Sequence, residues 1–175
     1  PEAVYLLYAI NKIGAIANML VMNATEAEIH EKLAVTESKV VITVDLALEK
    51  IVQASKETSV KHIIGVSLAE SMPCVIGTLY KWKSKIKQEN CISFSEFLKA
   101  CQGKKIDCQE IKGDAPAVIA YTGGTTGKSK GVLLSNRAAN AIAFQYKYAD
   151  KVLDFQNGER FLDIIPPFLA YGLFF

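Results

Sequence analysis

Residues 121–132 read Tyr-Thr-Gly-Gly-Thr-Thr-Gly-Lys-Ser-Lys-Gly-Val. Glycines at 123, 124, 127 and 131 permit positive φ, so that successive backbone N–H groups can converge on one anion, while Thr122, Thr125 and Thr126 add hydroxyl donors. Lys128 and Lys130 place positive charge beside them, suited to a polyphosphate whose charge must be neutralised as a bond to phosphorus breaks. The chemistry indicated is phosphate binding; the competing reading of the same residues is a hairpin loop that is glycine-rich for geometry alone.

A Walker loop, G-x-x-x-x-G-K-[ST], is a separate possibility. Gly127-Lys128-Ser129 supplies its second half, but its first glycine falls on Thr122. A Walker loop also opens directly into a helix, whereas Gly131-Val132-Leu133-Leu134 reads as a return strand. Ala115–Tyr121 is the apolar strand entering the loop, and Ser135 or Asn136 caps a following helix over 137–148, with Ala141, Ile142 and Gln145 in its middle. The device is strand, phosphate loop, strand.

The preceding chain supplies a scaffold of alternating elements. Val4, Leu7, Tyr8 and Ile10 give helical spacing over 2–13, Gly14 caps that helix, and a short strand follows over 15–19. Thr25 with Glu28 is a capping-box pair opening a helix to about Ser38, with Ile29, Leu33 and Ala34 inward. Val40–Val44 is a charge-free, β-branched strand, Asp45 caps a helix to about Ser55, and His62–Val66 forms the next strand. Between Ser67 and Lys112 the pattern degrades to a loop, a basic segment Tyr80–Lys87 read as a solvated edge, and a helix over 95–101. Repeating helix and strand units predict an α/β fold with a mostly parallel sheet flanked by helices, organised as a single partial domain over 1–175.

Composition narrows the function classes. The chain of 175 residues is 50% apolar and 22% charged, which favours a globular domain over disorder, and a formal charge of +2 marks no nucleic acid as partner. Cysteines at 74, 91, 101 and 108 contain no C-x-x-C pair, and His30 and His62 lie far from them, so no metal site is assigned. Ordinary thiols and no secretory signal make cytoplasm the expected compartment, with a disulfide as the alternative. Asn11, Lys12 and Asn18 interrupt the apolar run from Val4 to Met22, leaving no transmembrane segment. No G-x-S-x-G occurs and neither histidine sits in a catalytic-type loop, which argues against a Ser-His-Asp hydrolase. An opening at Pro1 straight into a helix and an uncharged end over 164–175 give the expectation of a piece cut from something larger, able to self-associate through an exposed sheet edge.

Tyr121–Val132 resembles the signature phosphate loop of the adenylate-forming (AMP-binding) superfamily, usually Y-T-S-G-T-T-G-x-P-K-G. Gly123 stands for the usual Ser, similar to a variant common in fatty-acyl-CoA ligases, and Ser129 for the usual Pro. Residues 2–44, including the Lys12-Ile13-Gly14-Ala15 turn, are similar to the helix-strand-helix-strand region preceding that loop. Pro167-Phe168-Leu169-Ala170-Tyr171-Gly172-Leu173 looks like the later motif P-x-F-H-x-x-G-L, with Leu169 where His is usual.

The resemblance implies an incomplete part of the large N-terminal domain of an adenylate-forming enzyme, in the acyl-CoA synthetase or long-chain fatty-acid-CoA ligase branch. It implies ATP, Mg2+ and coenzyme A as cofactors, and a small carboxylic acid as substrate. The ATP phosphates would be held by Thr122, Gly123, Gly124, Thr125, Thr126, Gly127, Lys128 and Lys130. Phe168, Leu169, Tyr171 and Gly172 would line the acyl pocket. The family's Mg- and adenine-binding acidic motif, its ribose-binding aspartate and its C-terminal lysine have no counterpart here, so the chain alone is expected not to catalyse adenylation. Two other readings stay open: a Walker-type NTPase or kinase fragment using Lys128 and Asp163, and a non-catalytic interaction module keeping the loop as a relic.

Overall fold

The computed structural model describes residues 2–73, 76–77, 80, 90–106, 110–122, 129–153 and 158. Helix α1 (Glu2–Lys12) and strand β1 (Ala17–Asn18) are followed by α2 (Glu26–Val35), β2 (Val40–Val44), α3 (Leu48–Ala54) and β3 (His62–Val66). Then come β4 (Cys91–Ser93), α4 (Phe94–Cys101), β5 (Pro116–Tyr121), β6 (Gly131–Ser135) and α5 (Asn136–Leu153). The described strands form two three-stranded sheets rather than one, ordered β1-β5-β6 and β2-β3-β4. Three of the four pairings are parallel; only β5 and β6 run antiparallel. Contacts divide the chain into two compact units, Pro1–Val21 with Ile106–Phe175, and Met22–Lys105.

The Met22–Lys105 unit follows from its caps and its apolar spacing. Thr25 and Glu28 form the expected capping box: the Thr25 N–H donates to the Glu28 carboxylate at 2.8 Å, and the Glu28 N–H donates back to Thr25 Oγ1 at 3.3 Å. Ile29 and Leu33 are buried one turn apart, but Ala34 is exposed, because it lies about 100° round the helix from Leu33 and off that inward line. β2 and β3 pair in parallel over their full lengths, and Val41, Ile63 and Ile64 are buried on them. α2 packs on α3 and α4 on β3.

Asp45 does not cap α3. It opens a single 3-10 turn, and its carboxylate accepts from Ser67 Oγ (3.2 Å), the Leu68 N–H (3.4 Å) and the Tyr80 hydroxyl (2.9 Å). The acid at the end of β2 is therefore spent bridging to the end of β3, with two fixed donors and a phenol outcompeting a local N–H. Strand β4 has no counterpart in the sequence expectations, and Ser93 rather than Ser95 begins the following helix, by a second capping box with Glu96.

In the other unit, α1 ends as its sequence predicts. Gly14 has φ +72°, the Gly14 N–H donates to the Asn11 carbonyl and the Ala15 N–H to the Ile10 carbonyl, both at 3.0 Å, a Schellman stop. Leu7 and Ile10 pack on the cluster Ala17, Ala117, Val118 and Ala120, whereas Val4 and Tyr8 are exposed. The expected strand over 15–19 contracts to two residues, extended by one bond from the Met19 N–H to the Ile119 carbonyl at 3.0 Å.

Candidate functional site

The base of the loop is a β-hairpin built for closure. β5 and β6 pair from Pro116↔Ser135 to Tyr121↔Gly131, with a register irregularity between Pro116 and Val118. Beyond the last pair the Thr122 N–H donates to the Lys130 carbonyl at 3.0 Å, and Thr122 Oγ1 donates to the same oxygen at 3.4 Å. These bonds seal the neck. Of the predicted phosphate-binding residues, Thr122 and Lys130 are brought together there, both exposed, with Ser129 half-buried beside Lys130. Gly123, Gly124, Thr125, Thr126, Gly127 and Lys128 lie outside the described residues, as do Phe168, Leu169, Tyr171 and Gly172 of the predicted acyl pocket and Asp163.

The far end of the hairpin is fixed as firmly. Ser135 Oγ accepts the Ala138 N–H at 3.2 Å and so caps α5, while the Asn136 and Arg137 N–H groups donate to the Ala115 and Gly113 carbonyls at 3.1 and 2.7 Å. The Arg137 guanidinium grips Asp114 through both carboxylate oxygens, at 2.7 and 3.1 Å, and its hydrogen bond holds the Asp114 carboxyl below its usual pKa. This pair is solvent-exposed, so its value is in orientation rather than stability.

One group at the neck went unnoticed in the sequence. Asn18 on β1 is in register with Ile119, and Ile119 and Tyr121, two residues apart on β5, share a face. A methyl group placed on Gly131 would lie 3.1 Å from Ile119 Cγ2 and 3.1 Å from Tyr121 Cε1, so the tyrosine ring lies directly against the bare glycine opposite it. The Asn18 side-chain amide hydrogen-bonds the Tyr121 hydroxyl; burial pushes that hydroxyl's pKa up, and the Asn18 bond only partly offsets the rise. A Gly facing an aromatic across a predicted hairpin was the available signal, but Asn18 is about a hundred residues away in sequence and no local pattern links it.

Among the described residues no three His, Cys, Asp or Glu side chains converge on a metal-sized site. Also among them, no helix is long and apolar enough to cross a membrane.

The fold and the Gly/Thr/Lys sequence between β5 and β6 have a match among known proteins. The family model for AMP-binding enzymes matches residues 1–175, and the chain belongs to that adenylate-forming family. It is 30% identical over 182 residues to a long-chain-fatty-acid–CoA ligase of Bacillus subtilis, covering 99% of this chain and 32% of that protein. It is 28% identical to a 4-coumarate–CoA ligase of Humulus lupulus, covering 99% of this chain and 29% of the relative. A crystal structure of a long-chain-fatty-acid-CoA ligase from Archaeoglobus fulgidus has the same fold over 99% of this chain and 30% of its own, with a TM-score of 0.73 at 20% identity. The chain thus spans about a third of the length of the curated relatives it matches.

Proposed function

We infer that the protein carrying this chain is an ATP-dependent carboxylic acid–CoA ligase acting on a fatty or other hydrophobic acid. The observation that carries the reading is a hairpin neck, closed by Thr122 and Lys130, from which a Gly/Thr/Lys loop springs in a chain of the AMP-binding family. The likeness to fatty-acid and 4-coumarate ligases supports a hydrophobic acid and leaves aliphatic and aromatic acids both in the test.

In the first step a carboxylate oxygen attacks the α-phosphorus of ATP, the bond to the β-phosphate oxygen breaks, and acyl-adenylate and pyrophosphate form. In the second, the coenzyme A thiol attacks the acyl carbon and AMP leaves. Charge accumulates on the departing pyrophosphate, so the loop's task is electrostatic. The backbone N–H groups of Gly123, Gly124 and Gly127, the Thr125 and Thr126 hydroxyls, and the Lys128 and Lys130 ammonium groups are assigned to it. Thr122, whose N–H and hydroxyl both turn to the Lys130 carbonyl, holds the cradle shut at its base. Mg2+ binds through carboxylates and substrate phosphates. The described residues offer no such carboxylate cluster, so no step is assigned through the metal. Phe168, Leu169, Tyr171 and Gly172 are assigned to the acyl pocket on resemblance alone, and cytoplasm is the proposed compartment.

The test is carboxylate-dependent ATP–pyrophosphate exchange by the full-length protein, across fatty acids of increasing length and 4-coumarate, with Thr126→Ala as control. Exchange that requires the acid and falls on the order of 100-fold in Thr126→Ala is the expected result. ATP binding without exchange for any acid would overturn the ligase reading in favour of an NTPase or a relic. The 175-residue chain by itself is expected to release no pyrophosphate.

A further inference from the structure

We propose that Asn18, Tyr121 and Gly131 form one positioning device for the loop: the Tyr121 ring, laid against the bare Gly131 and held at its hydroxyl by Asn18, sets the angle at which the loop leaves the sheet. This rests on the phosphate-loop reading of residues 122–130. The three residues come from three strands that lie side by side in the order β1-β5-β6. Tyr121 is the last residue of β5 and Gly131 the first of β6, so they form the final pair before the neck bond from Thr122 to Lys130. Whatever orients Tyr121 orients the peptide that begins the loop.

The glycine is required by the tether. A side chain at 131 would press on two groups at once, the Ile119 methyl and the Tyr121 ring, each at 3.1 Å. Ile119 is β-branched and stiff at χ1, so it yields little. The ring would have to yield instead, but its far end is held by an amide from β1. Making room at the ring strains the Asn18 bond, and with it the anchoring of the neck on that side. In this account Gly131 binds no phosphate; it leaves room for the aromatic ring that aims the groups that do. Asn18 and Tyr121 act through the neck, as positioning residues, and their loss lowers the preorganisation of the cradle rather than its charge.

The experiment is ATP–pyrophosphate exchange by the full-length protein with Asn18→Ala, Tyr121→Phe, the double variant and Gly131→Ala, each with a thermal melt. Asn18→Ala and Tyr121→Phe are each expected to raise the KM for ATP by up to about tenfold, the size of one half-buried hydrogen bond, with the KM for the acid unchanged. The double variant is expected to match the larger single effect, since both remove one bond. Gly131→Ala is expected to raise the KM for ATP as well, because its methyl group presses on the tethered ring. An unchanged KM for ATP in Asn18→Ala and Tyr121→Phe overturns the proposal. So do equal shifts in both KM values that follow the loss of melting temperature, because they mark a merely structural role. If the unaltered protein exchanges with no acid, the ligase reading fails, and ATP dissociation constants measured calorimetrically take over. There the same ranking supports the device, while equal constants, or no ATP binding at all, overturn it.

Discussion

Glu37 holds a left-handed conformation, φ +48°, one residue past the cap of α2. Its N–H donates to the Ala34 carbonyl and the Ser38 N–H to the Leu33 carbonyl, each at 3.2 Å, the same stop that Gly14 makes for α1. Glutamate lacks the freedom glycine has there, so Glu37→Gly is expected to stabilise the chain by about 0.5–1 kcal/mol, read as a rise in urea midpoint with no change in slope. The two capping-box acids respond to pH in a definite direction. Thr25 hydrogen bonds to Glu28 and Ser93 hydrogen bonds to Glu96 lower both carboxyl pKa values below the ordinary 4.5. A depressed folded value means that their stabilisation is present above about pH 4.5 and is lost as the pH falls through the folded values. Thermal midpoints measured from pH 6 down to 3 should therefore decline, and a Thr25→Ala, Ser93→Ala double variant should decline less.

At the scale of elements, the bridge from Asp45 to Ser67, Leu68 and Tyr80 ties together the ends of two parallel strands. Asp45→Ala would leave three donors without their acceptor and is expected to cost about 1–3 kcal/mol, against about 1 kcal/mol for Tyr80→Phe, both by chemical denaturation. That bridge also marks what sequence pattern can carry. α2, β2 and β3 were legible because their signals are local: a capping pair and charge-free, β-branched apolar runs. Asp45 has the composition of a helix cap, and only the arrival of β3 beside β2 redirects its carboxylate. β4 is three residues long and reads Cys-Ile-Ser, too short for any periodicity, and exists because β3 offers it an edge. The neck of the candidate site was legible as strand, loop, strand. Its Asn18 anchor was not, since that contact is made by tertiary pairing alone.

On the scale of the whole molecule, among the described strands the sheet β1-β5-β6 ends on a two-residue strand at one side and on β6 at the other. Val132 and Leu133 on β6 are 41% and 56% exposed. An apolar strand at the end of a sheet is a template for a further strand. Light scattering of the isolated 175-residue chain is expected to show species larger than a monomer, and a monodisperse monomer at high concentration would remove that expectation.

The parallel pairing of β1 with β5 joins Ala17 to Val118 and Asn18 to Ile119, with the whole of Met22–Lys105 between them in the chain. On the ribosome β1 therefore emerges long before its partner. About a hundred residues must be translated first, which at ~5–20 residues per second leaves β1 waiting roughly 5–20 s. The intervening unit, whose described strands β2, β3 and β4 pair with one another, has its full sequence during that delay and can fold ahead. The hairpin that bears the loop closes locally within microseconds of its synthesis. Asn18 reaches Tyr121 only by that long-range closure, so the anchor that aims the loop depends on a contact between segments made far apart in time.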